Sequence, residues 1–289
     1  MQFPTLQYIR SLAITPRKRH SQHFLIDKNI AEKTISAAAC SPLDTVIEIG
    51  PGLGALTFFL HVQSLNAYCF EIDEHLATVL STSLPDTSSV HIINKDIMTV
   101  SFSEIAHNQG PIVLLGSIPY ALTTPILFKV LEAAPYISRA VFIVQKEVAE
   151  RLCARPGSKQ YGILSVYCSA YAPAEILFTI PPSCFYPVPD VASAVIRLLP
   201  HSDKHWDSAQ EVFFRQIVQG AFSRRRKTLL NALKSTHTVH GCNLPMIRQA
   251  GVRSGIDMQR RAETLSVDEW YRLSSALYEL HCMHQVQGD

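Results

Sequence analysis

Four short stretches hold the side chains best placed to do chemistry: Glu48-Ile-Gly50-Pro-Gly52-Leu-Gly54, Glu71, Asp96, and Ser117-Ile118-Pro119-Tyr120. Glycines at 50, 52 and 54 permit a tight turn and let the main chain approach a ligand closely. The spacing is G-x-G-x-G, not the G-x-G-x-x-G of the dinucleotide fingerprint, so a purely structural turn is an equal reading of this stretch alone. Glu71 follows Gly50 by 21 residues, where a carboxylate can accept from both ribose hydroxyls of an adenosine-containing cofactor. Asp96 stands where a carboxylate can meet an adenine amine. Either acid alone reads as a solvated turn residue. Three such features at the ends of three successive apolar runs favour a nucleoside-containing cofactor, because α/β ligands bind on that side.

The cofactor's identity follows from what the motifs lack. No G-x-x-x-x-G-K-[ST] is present for a triphosphate. S-adenosylmethionine has a ribose and an adenine but no phosphate, and it fits better than NAD or ATP. Ser117-Ile118-Pro119-Tyr120 then reads as a substrate corner. Methyl transfer to an exocyclic amine needs lone-pair density drawn out of the ring, and acceptors aimed at the amine hydrogens do this. The Ser117 hydroxyl and the Ile118 carbonyl supply two. Pro119 stiffens the corner, and the Tyr120 ring offers a face for a flipped base. Isolated from the rest, Pro119 and Tyr120 describe a turn with a packed aromatic.

These residues must be held by the ends of strands. "TVIEI" (45–49), "NAYCFEI" (66–72), "VHIIN" (90–94), "PIVLLG" (111–116) and "AVFIVQ" (140–145) are short and rich in β-branched and aromatic residues, the mark of buried parallel strands. Helical stretches separate them. In "TPILFKVLEA", Thr124 is expected as the N-cap and Pro125 as the first helical residue, with Ile126, Leu127, Val130 and Leu131 on one face. The alternation predicts a doubly wound α/β sheet. "EILFTI" (175–180) and "SAVIRLL" (193–199) have no crossover helix between them and are expected as an antiparallel pair at one edge. "PHSDKHWDS" reads as a linker. In "SVDEWYRLSSALYEL", Ser266 and Glu269 have capping-box spacing, and Trp270, Leu273, Leu277 and Leu280 share a face. Two domains are expected, 1–199 and a small all-helical one at 200–289.

Composition limits the partners. The 289 residues are 47% hydrophobic and 17% charged, and no apolar run is long enough for a membrane span. The first 26 residues lack Asp and Glu, but no apolar core of a targeting segment follows them. Seven scattered cysteines without a CxxC pair point to a reducing cytoplasm and to neither disulfides nor a metal site. Net charge is +2, yet residues 201–289 hold 12 Lys and Arg against 9 Asp and Glu, with Arg224, Arg225, Arg226 and Lys227 in one run. Such a run is either a solvated face or a contact for a polyanion.

"RKRHSQHFLID" (17–27), "EIGPGLGALT" (48–57), "GSIPY" (116–120), "CFYPVPDVASAVIRL" (184–198) and "RRRKTLLNAL" (224–233) occur in the order and spacing of a known family. Together they resemble the ribosomal RNA adenine dimethyltransferases, and among these the small-subunit branch. The resemblance spans residues of about 15 to 280. It implies a Rossmann-like seven-stranded S-adenosylmethionine-dependent methyltransferase domain, and a helical domain that contacts RNA or the ribosome. It also implies dimethylation of the N6 amines of two adjacent adenosines near the 3′ end of 16S rRNA, in the 30S subunit or its precursor. By position His23 and Leu25 join Gly50, Gly52, Glu71, Asp96 and Ser117 around the cofactor. Tyr120 and Phe185 stack on the target base, and Arg224 to Lys227 meet phosphates.

No metal and no membrane are implied, and a monomer is expected. Ser117 stands where the family usually has Asn, and Asp190 and Ala192 where Lys and Asp are common. The serine puts the rate or the second methyl transfer in question. Two rivals stay open: a 23S rRNA adenine methyltransferase with the same motifs, and a non-catalytic ribosome-assembly factor with the same fold. "GIDMQRRAETLSVDEW" (255–270) speaks for the small-subunit branch.

Overall fold

The computed structural model describes residues 1–12, 22–201, 208–235 and 242–286. Residues 17–21 of the first shared motif and 202–207 of the expected linker lie outside them. Two compact units share the chain: Met1–Glu150 with Tyr171–His201, and Arg151–Ala170 with Ser202–Asp289. A division at 199/200 assigns residues 151–170 to the first unit; the structure places them in the second. The reason is bonding to residues remote in sequence. Tyr161 Oη donates to the Leu265 carbonyl at 2.8 Å and Tyr167 Oη to the Arg215 carbonyl at 3.1 Å.

The first unit contains the strands β1 (Phe24–Leu25), β2 (Thr45–Ile49), β3 (Ala67–Glu71), β4 (Val90–Asn94), β5 (Ile112–Ser117), β6 (Ile137–Gln145), β7 (Ala174–Ile180), β8 (Phe185–Tyr186) and β9 (Ser193–Leu198). Seven of them form one sheet in the order β4-β3-β2-β5-β6-β9-β7. Neighbours from β4 to β6 are parallel, and β9 runs antiparallel to both β6 and β7. The expected edge pair is therefore present, with β9 inserted between β6 and β7. Strand order reverses between β2 and β5, so the chain ends of β2, β3, β4 and β5 open onto the crevice where doubly wound folds bind ligands. β2 is buried at every residue and β5 at all but its last. Continuous Val, Ile and Leu suit strands covered on both faces.

One glycine is required by the sheet itself. Gly116 faces Ile49 in the β2–β5 register, and a Cβ there would lie 2.5 Å from the Ile49 carbonyl oxygen. Outside the sheet, β1 and β8 form a two-stranded antiparallel ribbon, pairing Phe24 with Tyr186 and Leu25 with Phe185.

The covering helices of this unit include α1 (Leu6–Ser11), α2 (Lys28–Ala38), α3 (Ala55–Val62), α4 (Glu74–Ser83), α5 (Phe102–Gln109) and α6 (Thr123–Glu132). α6 starts earlier than expected. A 3-10 turn over Tyr120–Leu122 runs directly into it, so Leu122 takes the cap position and Thr124 does not. Pro125 consequently occupies the third helical position, still within the first turn, where no main-chain N–H is needed. α7 (Lys146–Leu152) and α8 (Ile163–Tyr171) follow β6, and α9 (Ser208–Phe222), α10 (Leu229–Lys234), α11 (Leu244–Ser254) and α12 (Val267–Val286) complete the second unit. At the start of α12 the capping box forms: Ser266 N–H donates to Glu269 Oε2 at 2.8 Å and Glu269 N–H to Ser266 Oγ at 3.2 Å. Trp270, Leu273, Leu277 and Leu280 are all buried.

Candidate active site

A pocket opens at the carboxyl ends of β2 to β5. His23, Gly50, Gly52, Glu71, Asp96, Ser117, Ile118, Tyr120 and Phe185 all line it, together with Gln22, Phe24, Ile72, Lys95, Pro119 and Leu122, among others. Its walls combine glycine main chain, two carboxylates and aromatic rings, the mostly apolar lining with a few polar groups that ligand pockets carry. Sheet topology brings Gly50, Glu71, Asp96 and Ser117 together, one at or just past the end of each of β2, β3, β4 and β5, and the β1–β8 ribbon adds His23 and Phe185. Leu25 is the exception among the residues expected here. Its side chain is buried in the core of the unit, while Phe24 reaches the pocket. Alternation along β1 sends one to each side.

The glycine turn is left-handed at Gly50 (φ +66°) and Gly52 (φ +56°), conformations that favour glycine. Gly50 N–H donates to the Phe70 carbonyl at 3.0 Å, and Gly52 N–H to Glu71 Oε2 at 3.0 Å. The second oxygen of Glu71 accepts the Asp73 N–H at 3.0 Å. Glu71 thus ties the turn to the end of β3. Burial pushes its carboxyl above the ordinary value, and the Asp73 and Gly52 N–H bonds pull back against that shift. Asp96 caps the short 3-10 turn after β4 by accepting Met98 N–H on Oδ1 at 2.9 Å.

Beneath the turn, Glu48 is 1% exposed. Its Oε2 accepts from Thr57 Oγ1 at 2.7 Å and from Cys69 Sγ at 3.3 Å. Burial pushes this carboxyl up to about 7.

At the end of β5, Ile118 N–H donates to the Ile143 carbonyl at 3.1 Å, and Thr123 Oγ1 donates to the Pro119 carbonyl at 3.1 Å. These bonds fix the corner. No described residue hydrogen-bonds the Ser117 hydroxyl or the Ile118 carbonyl, so two residues that line the pocket each keep an unengaged acceptor. Tyr120 is half-buried: its hydroxyl lies 2.8 Å from Ser193 Oγ, and the His23 ring stacks on it with centroids 5.4 Å apart and a 30° tilt. His23 Nδ1 lies 2.8 Å from the Pro187 carbonyl oxygen. Burial raises the Tyr120 hydroxyl above the ordinary tyrosine value, which keeps it protonated. Phe185 lines the pocket although it is only 2% exposed.

Sequence reasoning misses Ser193, which sits in "VASAV" without any spacing that marks it. It also misses Gln22 and Phe24; all three lie within the shared motifs at 17–27 and 184–198.

A model of the ribosomal RNA adenine dimethylase family matches residues 14–279. The chain belongs to that family. It is therefore a ribosomal RNA adenine dimethyltransferase. Relatives named ribosomal RNA small subunit methyltransferase A are 37% identical in Bacillus cytotoxicus and 36% in Bacillus mycoides, each over 94% of this chain and 95% of the relative. Among solved structures, the 23S rRNA methyltransferase ErmE has a TM-score of 0.67 at 25% identity, covering 88% of this chain and 99% of its own. A dimethyladenosine transferase from Plasmodium falciparum has a TM-score of 0.70 at 23% identity, covering 86% and 95%, and shares the fold.

In this dimethyltransferase the basic run of the second unit lies in the turn between α9 and α10, not on a helix face. All four of its residues are exposed, but Arg225 is committed within its unit. It pairs with Glu263 at 2.7 Å and donates to the carbonyls of Lys159 and Tyr161. Among the described residues no helix is long and apolar enough to cross a membrane, and no group of three or more His, Cys, Asp or Glu is placed to hold a metal ion.

Proposed function

We propose that the chain transfers methyl groups from S-adenosylmethionine to the N6 amines of two adjacent adenosines near the 3′ end of 16S rRNA. The substrate would be the 30S subunit or its precursor, in the cytoplasm. The observation that carries the chemistry is the pair of unengaged acceptors, Ser117 Oγ and the Ile118 carbonyl, on the wall of a pocket that also holds Glu71 and Asp96. The choice of rRNA rests on relatives of 36–37% identity that are named for the small subunit.

The residues present fit the cofactor. Glu71 and Asp96 each retain lone pairs beyond their present bonds, enough to accept from ribose hydroxyls and from an adenine amine respectively. Gly50 and Gly52 keep the main chain low beneath the ligand, His23 borders it, and Leu25 acts through its backbone because its side chain lies in the core. S-adenosylmethionine supplies an electrophilic methyl group when bound. The chain's own part is positioning. Ser117 Oγ and the Ile118 carbonyl would accept from the two amine hydrogens and so orient the lone pair; on methylation the amine proton would go to solvent, and the neutral thioether of the cofactor would be left to depart. Tyr120 and Phe185 receive the base. Arg224, Arg226 and Lys227 are left to contact phosphate, and RNA binding then weakens as salt rises.

Labelled methyl transfer to unmethylated 30S subunits, free 16S rRNA and 23S rRNA tests this reading. We expect transfer to the 30S substrate. Transfer confined to 23S rRNA would reassign the enzyme, in line with its likeness to ErmE. Cofactor binding with no transfer to any of the three would leave an assembly factor.

A further inference from the structure

We propose that Ser193 is a positioning residue for the target base, acting through Tyr120. This rests on the reading of Tyr120 as the surface that receives the base. Ser193 is fully buried at the first position of β9, paired with Gln145 of β6 and Ile180 of β7. A hydroxyl inside a sheet needs a partner, and here that partner is the Tyr120 hydroxyl at 2.8 Å. The bond spans 73 residues of sequence and joins the substrate corner after β5 to the end of the loop that starts at Phe185. The same loop acts on Tyr120 a second time, since its Pro187 carbonyl holds the His23 ring that stacks on the tyrosine.

A tyrosine ring anchored only at its backbone end can swing about its side-chain torsions. Bonding at the hydroxyl removes that freedom and sets the plane on which a base would lie. That plane decides where an N6 amine sits relative to Ser117 Oγ and the Ile118 carbonyl. Dimethylation presents the amine twice, the second time with a bulkier substituent and a single hydrogen, so ring orientation bears hardest on the second transfer.

The test compares Ser193→Ala, Tyr120→Phe, the double variant and Tyr120→Ala on unmethylated 30S subunits. Mono- and dimethyladenosine are counted by mass spectrometry, and rates are normalised to bound S-adenosylmethionine. Ser193→Ala and Tyr120→Phe should each lower the rate about fivefold, the factor equivalent to about 1 kcal/mol for one neutral hydrogen bond. Both should raise the monomethyl share without changing cofactor affinity, and the double variant should be no worse than either. A loss of folded protein alone would lower the yield and leave the product ratio alone. Should Ser193→Ala fail to fold, Tyr120→Phe removes the same bond from the other side and decides the matter. Unchanged rate and product ratio in Tyr120→Phe, with Tyr120→Ala inactive, overturns the role of Ser193 only. Full activity in Tyr120→Ala overturns the base-receiving reading and this proposal with it.

Discussion

Replacing Glu48 with Gln should flatten the protein's stability profile between pH 5 and pH 8. Glu48 lies in β2 beneath the glycine turn, 1% exposed, and burial outweighs the bonds from Thr57 and Cys69 that favour its charged form. Its folded-state value is raised from the usual 4.5 to about 7. The folded protein therefore holds a proton that the unfolded chain gives up. This contribution is fully present below about 4.5 and is lost as pH climbs to about 7. At about 1.4 kcal/mol per tenfold change, the loss amounts to about 3 kcal/mol, most of it between pH 5 and 8. The amide introduced by Glu48→Gln would keep an acceptor for Thr57 Oγ1 and Cys69 Sγ and would have no proton to lose. Urea denaturation followed by circular dichroism at half-unit pH steps measures the difference, because every other titrating group is common to both proteins. Wild type should lose about 2.5 kcal/mol relative to Glu48→Gln across that window. Parallel curves would refute the idea that Glu48 is neutral below pH 7.

Ser117→Asn should retain full dimethylation, and Ser117→Ala should be slower by about tenfold, as loss of one oriented acceptor predicts; single-turnover methyl transfer reads both. Gly116→Ala should destabilise the first unit by about 2 kcal/mol or more, since its Cβ would meet the Ile49 carbonyl oxygen at 2.5 Å and a strand must shift; thermal melts check it. Arg224→Ala and Arg225→Ala should separate by assay. The first should weaken RNA binding and make it less salt-dependent, as filter binding at several salt concentrations would show. The second should lower the melting temperature by a few degrees, because its bonds to Glu263, Lys159 and Tyr161 are structural.

The sheet was legible because its strands carry unbroken β-branched and aromatic runs. Thr45–Ile49 and Val90–Asn94 fall where the sequence puts them, and the remaining strands differ at their ends. Strand order put Gly50, Glu71, Asp96 and Ser117 at one edge, so most of the pocket could be read from four strand ends. What escaped depends on contacts remote in sequence. A two-residue ribbon such as β1–β8 has no periodicity to detect. The start of α6 moved because the turn at Tyr120–Leu122 took over the capping role. Segment 151–170 joins the second unit through two tyrosine hydroxyls that bond carbonyls far along the chain, and helical patterning does not reveal such partners. Ser193 is the same case at the site itself.

The β1–β8 ribbon makes the two halves of the pocket one mechanical object. β1 carries Phe24 beside His23, and β8 carries Phe185 at the start of the loop that reaches Ser193. On the proposed assignment, whatever factor bound cofactor adds to RNA affinity is returned in full to cofactor affinity. A substitution within the ribbon is then the place to measure that shared factor, with cofactor and RNA each titrated in the presence of the other.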